Sequence, residues 1–184
     1  MKLLSVSEMK AIEQEADASG YSYRKMMEAA GTHLAEVIHT LYVPDEENIA
    51  VAIIGGGNNG GDALVALLQL IQFGWRVRAY IVKPRAADDV DLKALQARDV
   101  EIVTLGGDKK MEKLNEWILT SSVVIDGILG TGTKLPISDD LQKLMTFVRD
   151  HDELPLVVAV DCPSGVNCDT GEVDEATIPA DVTV

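Results

Sequence analysis

The chain has 184 residues, of which 47% are hydrophobic, 25% charged and 4% aromatic, a composition typical of one globular domain. Its 30 acidic residues outnumber its 16 lysines and arginines, and the resulting net charge of −14 argues against nucleic acid or anionic lipid as a partner. The longest apolar runs fall far short of the roughly 20 residues that a membrane-spanning helix needs. Residues 1–20 contain four acidic side chains and no continuous apolar run, unlike a secretory signal. We therefore expect a cytoplasmic protein with no membrane segment.

Two helices are predicted before the first strand. Ser5 and Glu8 have the spacing of a capping box for the first helix. Residues 21–41 form the second, whose apolar side carries Met26, Met27, Ala30, Leu34, Val37, Ile38 and Leu41. We expect this helical prefix, residues 1–42, to cover an edge of a sheet or to form a dimer contact. A polar bend at residues 44–48 separates it from a core over residues 49–184.

Five short runs rich in β-branched residues follow, at residues 51–54, 77–81, 100–103, 123–125 and 157–160. Such runs are typical of strands that are buried on both faces. Helix-length segments lie between them, at residues 59–73, 88–98, 111–119 and 138–150. The alternation predicts an α/β fold with a mostly parallel, doubly wound sheet and helices on both faces. Residues 181–184 resemble the start of a sixth strand, so we expect a single domain, 1–184, that is truncated at its C-terminal end.

The loop after the first strand is rich in glycine. Its sequence, Gly55-Gly-Gly-Asn-Asn-Gly-Gly-Asp62, opens a helix whose free amides favour an anion such as phosphate. A dinucleotide-binding fingerprint also requires an acidic residue about 20 positions further on. That acid is missing, because Val82-Lys-Pro-Arg85 stands there. No Walker loop is present either, so a mononucleotide kinase is disfavoured.

Aspartates follow two other strands. In the common strand order 3-2-1-4-5, Asp62, Asp126 and Asp161 come to one crevice at the carboxyl ends of the strands. Three carboxylates in one cleft resist ionisation unless a cation or hydrogen bonds compensate. The nearby candidate ligands are Asn59, Asp126, Ser164 and loop carbonyls. All are hard oxygens, which suits K⁺, Na⁺, Mg²⁺ or Ca²⁺ rather than a transition metal.

The two cysteines, Cys162 and Cys168, lie too close together in sequence to close a useful loop and lack the partners of a zinc site. We expect both to be reduced thiols. Asp161 should raise the pKa of the neighbouring Cys162, which disfavours catalysis by a thiolate.

Three motifs in this order closely resemble the YjeF N-terminal domain family, whose enzymatic members are NAD(P)H-hydrate epimerases. They are Gly57-Asn-Asn-Gly-Gly-Asp62, Asp126-Gly-Ile-Leu-Gly-Thr-Gly132, and Asp161-Cys-Pro-Ser-Gly165 followed by Asp169-Thr-Gly171. Met26-Met-Glu-Ala-Ala-Gly31 resembles the second helix of the family, so the resemblance covers essentially the whole chain. The departures are Ala63 in place of a common Gly, Ala29 in place of Asn, and Cys162 in place of an aliphatic residue. None removes a proposed ligand.

The resemblance implies a Rossmann-like three-layer αβα sandwich, typically dimeric, that interconverts the R and S epimers of hydrated NADH and NADPH (NADHX and NADPHX). A partner dehydratase, fused at the C-terminal side in many microbial members, would then act on the S epimer. The resemblance makes Asn59, Asp126 and Ser164 the K⁺ ligands. It also implies substrate contacts from Asn58, Asn59, Gly60, Gly61, Asp62, Gly130, Thr131, Gly132, Thr133, Lys134, Leu135, Pro136 and Asp161.

The chemistry of such a substrate points to Asp161 as the catalytic group. Acid-assisted loss of the hydroxyl beside the ring nitrogen gives an iminium, and water can return to either face of that ion. We expect Asp161 to protonate the leaving hydroxyl and to recover a proton from the incoming water. Two rivals remain: a non-catalytic relative of the kind found in mRNA-decapping scaffolds, and an NAD(P)-dependent oxidoreductase. In the second, Lys83 and Arg85 would serve a 2′-phosphate.

Overall fold

A single parallel sheet lies at the centre of the protein, of which the computed structural model describes residues 4–42 and 47–184. Its strands are β1 (Ile49–Ile54), β2 (Arg76–Ile81), β3 (Glu101–Thr104), β4 (Val123–Gly127), β5 (Leu156–Ala159) and β6 (Val182–Thr183). They lie in the order β3-β2-β1-β4-β5-β6, and every neighbouring pair is parallel. The five predicted strands are confirmed and lie in the common order that was assumed for them, and the predicted sixth strand pairs with β5 over two residues.

The described residues contain the helices α1 (Val6–Ala18), α2 (Tyr23–Thr40), α3 (Asn58–Gln72), α4 (Val90–Gln96), α5 (Glu112–Leu119) and α6 (Asp139–Arg149). Each corresponds to a predicted helix. The bounds of α4 differ most, because the Asp89 side chain accepts hydrogen bonds from the amides of Asp91 and Leu92 and so caps the helix later than predicted. None of the described helices is both long and apolar enough to cross a membrane.

Each face of the sheet carries its own apolar core. Successive residues of a strand point to opposite faces, so β1, with the sequence Ile-Ala-Val-Ala-Ile-Ile, is buried along its whole length. Ala52 and Ile54 pack with α3 and α4 on one face, and Val51 and Ile53 pack with α5 and α6 on the other. The predicted three-layer, doubly wound αβα sandwich is confirmed.

The second helix of the prefix, α2, packs along α3, and its buried residues Leu34, Ala35 and Ile38 share the apolar core on that face of the sheet. Gly31 makes this close approach possible, because a Cβ there would lie 2.5 Å from the Cβ of Val65. Ala30 and Leu41, predicted on the apolar side, are exposed, whereas Gly31 and Ala35 are buried. The contact is therefore centred on the small residues of α2 as well as on Leu34 and Ile38. The expectation that the prefix covers an edge of the sheet or forms a dimer contact stays a prediction.

The first helix rests on the surface. None of the residues of α1, all of which the structure describes, is buried. Its predicted capping box is present, since the Ser5 side chain accepts from the Glu8 amide and the Glu8 carboxylate accepts from the Ser5 amide. The Val6 amide donates to Asp169 at 2.8 Å, which ties the helix to the loop after β5. Most of the predicted polar bend at residues 44–48 lies outside the described residues.

Candidate functional site

The strand order brings the loops after β1, β4 and β5 side by side at the carboxyl edge of the sheet, where ligands bind in open α/β folds. The loop after β1 leads directly into α3, whose N-cap residue, Gly57, makes no side-chain capping bond. The first amides of α3 therefore point outward with the positive end of the helix dipole, as a phosphate site requires. The predicted contact residues Asn58, Asn59, Gly60, Gly61 and Asp62 all lie in the first part of this helix.

Arg85 stabilises the glycine loop by hydrogen bonds to its backbone. Its guanidinium donates to the carbonyl oxygens of Gly55 and Gly57, at 2.8 and 3.1 Å, and pairs with Asp89 at 2.6 Å. A guanidinium held by these bonds shapes the loop, so the structure does not favour Arg85 as a ligand of a 2′-phosphate. Sequence reasoning missed this structural role because the bonds join positions about thirty residues apart.

Asp126 and Ser164 form a buried pair behind the loops. Both are fully buried, and the hydroxyl and amide of Ser164 donate to the two carboxylate oxygens of Asp126 at 2.5 and 2.8 Å. Burial raises the pKa of Asp126, while the hydrogen bonds from Ser164 and Ile128 lower it. No lysine or arginine pairs with this carboxylate in the described part of the chain.

Asn59 completes a cluster of oxygen atoms around that pair. Its side-chain amide donates to the carbonyl oxygens of Val160 and Leu129, at 2.6 and 3.2 Å. The Leu129 carbonyl in turn lies 3.2 Å from the Ser164 hydroxyl. Gly130 has no side chain here because a Cβ would overlap the Asn59 amide.

A buried carboxylate without a cationic partner, beside a hydroxyl, an amide and two carbonyls, fits a hard cation. The described residues contain no cluster of three His, Cys, Asp or Glu side chains that could hold a metal ion. The donors around Asp126 are oxygen atoms, which are the preferred ligands of hard cations. The residues predicted as ligands, Asn59, Asp126 and Ser164, are thus brought together, and their role as K⁺ ligands stays a prediction.

Asp161 lies at the mouth of the site in a tight turn. The Cys162 amide donates to the Val160 carbonyl at 2.7 Å, which closes a three-residue γ-turn around Asp161 at φ 65°. A non-glycine residue in this region costs about 1–3 kcal/mol, a strain that is found mostly at functional sites. The side chain remains accessible to solvent, and the Thr131 amide donates to it. Desolvation by the surrounding protein raises the pKa of Asp161, and the bond from Thr131 lowers it.

Asp62 is the second carboxyl group at this mouth. Burial raises its pKa to about 7, and the negative charges of Asp161 and Glu13 contribute in the same direction, whereas Arg85 lowers it. The expected mutual repulsion of acids is therefore found between Asp62 and Asp161. Because the charge of Glu13 affects the pKa of Asp62, α1 lies close to the site, which the sequence did not indicate.

Only part of the loop after β4 forms hydrogen bonds with other predicted site residues. Thr131 contacts Asp161, and the hydroxyl of Thr133 donates back to the carbonyl of Gly130 at 2.6 Å. In the region that the structure describes, no side-chain hydrogen bond or ion pair links Lys134, Leu135 or Pro136 to the other predicted site residues. The peptide bond between Leu135 and Pro136 is cis.

The two cysteines are free, and the pKa of Cys162 is raised, chiefly by burial and then by a hydrogen bond with Cys168. The charge of Asp161, which we expected to cause the shift, is a smaller contribution. The raised pKa disfavours Cys162 as a nucleophile.

A helix remote from the loops also positions the site. Met27 of α2 packs against Gly61, where a Cβ would lie 2.6 Å from the Met27 methyl carbon, and Gly31 lies against the Asp62 carbonyl. These two residues of α2 therefore fix the start of α3. The motif Met26-Met-Glu-Ala-Ala-Gly31 was the signal, but its spacing alone did not reveal which helix it contacts.

Fold and site together define an α/β protein with a doubly wound sheet. At the point where the strand order reverses, between β1 and β4, it presents the glycine-rich start of α3 and the carboxyl groups of Asp62 and Asp161. Residues 23–184 match the family model described as YjeF-related protein N-terminus. The chain belongs to this family.

Two curated relatives illustrate the match. The chain is 34% identical over 193 residues to the bifunctional NAD(P)H-hydrate repair enzyme Nnr of Thermofilum pendens, covering all of this chain and 35% of the relative. It is 32% identical over 195 residues to the NAD(P)H-hydrate epimerase of Candida albicans, covering 97% of this chain and 75% of the relative. The chain thus spans about a third of the bifunctional relative.

Among solved structures, the yeast protein ynu0 (YNL200c) superimposes with a TM-score of 0.86 over the whole of this chain and 79% of its own. The two sequences are 21% identical, so this likeness supports the fold.

Proposed function

We propose that this chain is an NAD(P)H-hydrate epimerase, which interconverts the R and S epimers of hydrated NADH and NADPH. The observation that carries the proposal is the placement of Asp161, an accessible carboxyl group with a raised pKa, beside Asp62 and the uncapped start of α3. Relatives named for this activity match nearly all of the chain, which supports it.

The reaction needs one acid that acts in both directions. Asp161 donates its proton to the hydroxyl on the hydrated carbon, the carbon–oxygen bond breaks, and water leaves behind an iminium ion. Water then attacks either face of the ring, and Asp161 takes back the proton that the attacking water loses. A carboxyl group with a raised pKa stays protonated at higher pH than an ordinary aspartate, which suits it to the first step.

The remaining residues bind and orient. The outward amides of α3 would hold the pyrophosphate, and the loop that includes Gly130–Pro136 would lie over the dinucleotide. Asn59, Asp126 and Ser164 would hold K⁺, which supplies positive charge near the loop carbonyls. A partner dehydratase that consumes the S epimer, and a cytoplasmic location in keeping with the free thiols, complete the proposal.

The decisive test replaces Asp161 with Asn, which tolerates the left-handed backbone of the γ-turn. We expect Asp161→Asn to lower the rate of equilibration of purified R epimer by about 10²–10⁴-fold, because a positioned general acid contributes that much. Chromatographic separation of the epimers measures the rate above the non-enzymatic background. Asp152→Asn, a change at an exposed turn at the opposite edge of the sheet, is the matched control.

The result is informative only if the nucleotide still binds to the variant, which calorimetry checks. An Asp161→Asn protein that binds the hydrate and equilibrates it at the wild-type rate would remove Asp161 from the mechanism.

The proposed cation has its own readout. At matched ionic strength, KCl should raise the melting temperature above its value in choline chloride, by about 2–4 °C per kcal/mol of binding free energy. Ser164→Ala should diminish that difference, because it removes one oxygen ligand. NaCl and LiCl arms identify the preferred ion, and equal melting temperatures in all four salts would contradict a cation site.

The competing oxidoreductase is less well supported. Arg85, one of its two candidate ligands for a 2′-phosphate, is already bonded to loop carbonyls and to Asp89. Such an enzyme would change nicotinamide absorbance in the presence of an alcohol or carbonyl substrate, whereas an epimerase would not.

A further inference from the structure

A second concave region lies beside the site, beyond the ends of β2 and β3. It is a cleft of about 1200 Å³, bounded by the two strand ends and by the starts of α5 and α6. None of the residues predicted to bind substrate lines it. The volume exceeds the range of about 300–1,000 Å³ typical of small-molecule pockets, so a nucleoside fits easily.

The cleft combines apolar walls with a cationic rim. Leu105 and Leu144 are among the side chains of its walls, while Lys83, Lys109 and Lys143 line its exposed rim. Within residues 4–42 and 47–184, none of these three ammonium groups forms an ion pair or a hydrogen bond. Lys110 and Lys113, by contrast, pair with neighbouring glutamates.

Several other lysines, such as Lys25 and Lys93, also form no ion pair with the described residues, so the distinguishing feature of the three rim lysines is that they line the same cleft. Asp139 and Asp140, in the first turn of α6, also line the cleft, so its charged lining is three ammonium groups and two carboxylates. The excess is positive, which favours a compact anion such as a phosphate monoester placed on the lysine side of the cleft.

The cleft adjoins the glycine loop of the proposed site. Gly56 of the glycine loop lies against Lys83 and Pro84, where a Cβ would be 3.4 Å from the Lys83 Cβ. Along the sheet, β2 and β5 stand on either side of the central strands β1 and β4. A dinucleotide whose ring end meets Asp161 and whose pyrophosphate meets the start of α3 therefore directs its adenosine end toward this cleft.

The position of Lys83 sharpens the argument. In dinucleotide-binding sheets, the end of the second strand reads the adenosine ribose, with an acid for a free 2′-hydroxyl and a cation for a 2′-phosphate. Here β2 is followed by Val82 and Lys83. The glycine loop engages the Arg85 guanidinium, whereas the Lys83 ammonium group remains free to contact a phosphate.

Resting on the proposed function, we propose that this cleft binds the 2′-phosphorylated adenosine end of the substrate. Lys83, Lys109 and Lys143 contact the phosphate, so the enzyme prefers NADPHX to NADHX.

The first experiment is independent of catalysis. Calorimetry with 2′,5′-ADP and 5′-AMP, which differ only by the 2′-phosphate, should give at least about tenfold tighter binding for 2′,5′-ADP, because the 2′-phosphate adds charge-assisted contacts. The triple variant Lys83→Gln/Lys109→Gln/Lys143→Gln should abolish that difference. The matched control Lys25→Gln/Lys93→Gln/Arg98→Gln removes three positive charges from α2 and the α4 region and should keep it.

Equal binding of the two nucleotides, or an equal loss in the control, would overturn the proposal and indicate non-specific electrostatics. The second experiment compares kcat/KM for NADPHX and NADHX, whose ratio should fall toward one in the cleft variant and persist in the control. If the protein epimerises both at equal kcat/KM, the cleft proposal fails and the function stands. If it epimerises neither, the function fails, and the nucleotide binding still decides the role of the cleft.

Discussion

Asp62, Asp126 and Asp161 show how position decides the chemistry of one residue type. Asp126 is fully buried and bonded to Ser164, which suits it to hold a cation. Asp161 is accessible in a strained turn, which suits it to exchange protons. Asp62 lies between these extremes, with a pKa of about 7 that makes its ionisation depend on ordinary working pH.

The raised pKa of Asp62 predicts a pH-dependent effect on stability. Below about pH 4 both the folded and the unfolded chain keep the proton, whereas between pH 4 and 7 only the folded chain does, so its stability falls as pH rises through that window. Above pH 7 the folded protein carries a desolvated charge next to Asp161 and Glu13. Asp62→Asn removes this cost and should raise the free energy of unfolding at pH 8 by about 1 kcal/mol after allowance for solvent screening.

That gain corresponds to about 2–4 °C in melting temperature and should vanish near pH 4. Scanning calorimetry of the variant, with the exposed Asp88→Asn as control, measures it. A gain of equal size at pH 4 and pH 8 would show that the effect does not come from ionisation.

At the scale of elements, the contact between α2 and α3 links the prefix to the site. A Cβ at position 31 would meet Val65 at 2.5 Å and the carbonyl of Asp62 at 2.6 Å, and a backbone carbonyl cannot move aside as a flexible side chain can. The separation of the two helices therefore depends on Gly31.

We expect Gly31→Ala to lower the free energy of unfolding by about 1–3 kcal/mol, because overpacking outweighs the gain in helix propensity of about 1 kcal/mol. Thermal denaturation should show the loss, and epimerase activity should fall more than stability accounts for, since α3 carries Asn59 and Asp62. Gly106→Ala, where the added Cβ meets nothing within 4 Å, is the control for the stability measurement. Unchanged stability in Gly31→Ala would mean that the two helices separate without cost.

At the scale of the whole molecule, α1 exposes apolar side chains to solvent. Met9 and Ile12 are 45% and 48% exposed and lie one helical turn apart, on an element with no buried residue. The family resemblance implies a homodimer, and we propose that a second copy of the chain covers this apolar pair.

Light scattering coupled to size-exclusion chromatography should give twice the mass of the chain. Met9→Ser/Ile12→Ser should convert the protein to a monomer, while Val90→Ser/Leu119→Ser, a change of two other exposed apolar residues, should not. A monomer in the unmodified protein, or a dimer that survives the α1 variant, would contradict this interface.

The sequence by itself determined the elements, the doubly wound fold class and the resemblance to the family, whereas the strand order was assumed and then found in the structure. These follow from local information: β-branched runs that suit doubly buried strands, helix caps and glycine positions, and three motifs placed at strand ends. It also brought the candidate site residues to one edge, because parallel strands end together. The domain expected over residues 1–184, with its truncated end, stays a prediction.

Only the tertiary structure decided what each of those residues can do. The bond from Asn59 to Val160 spans 101 positions, and the pair of Asp126 and Ser164 spans 38. Arg85 is engaged under the glycine loop and Lys83 is left free, although the sequence offered both for the same role. Burial, pairing and pKa depend on neighbours that are distant in the chain, and pattern reasoning has no access to those distances.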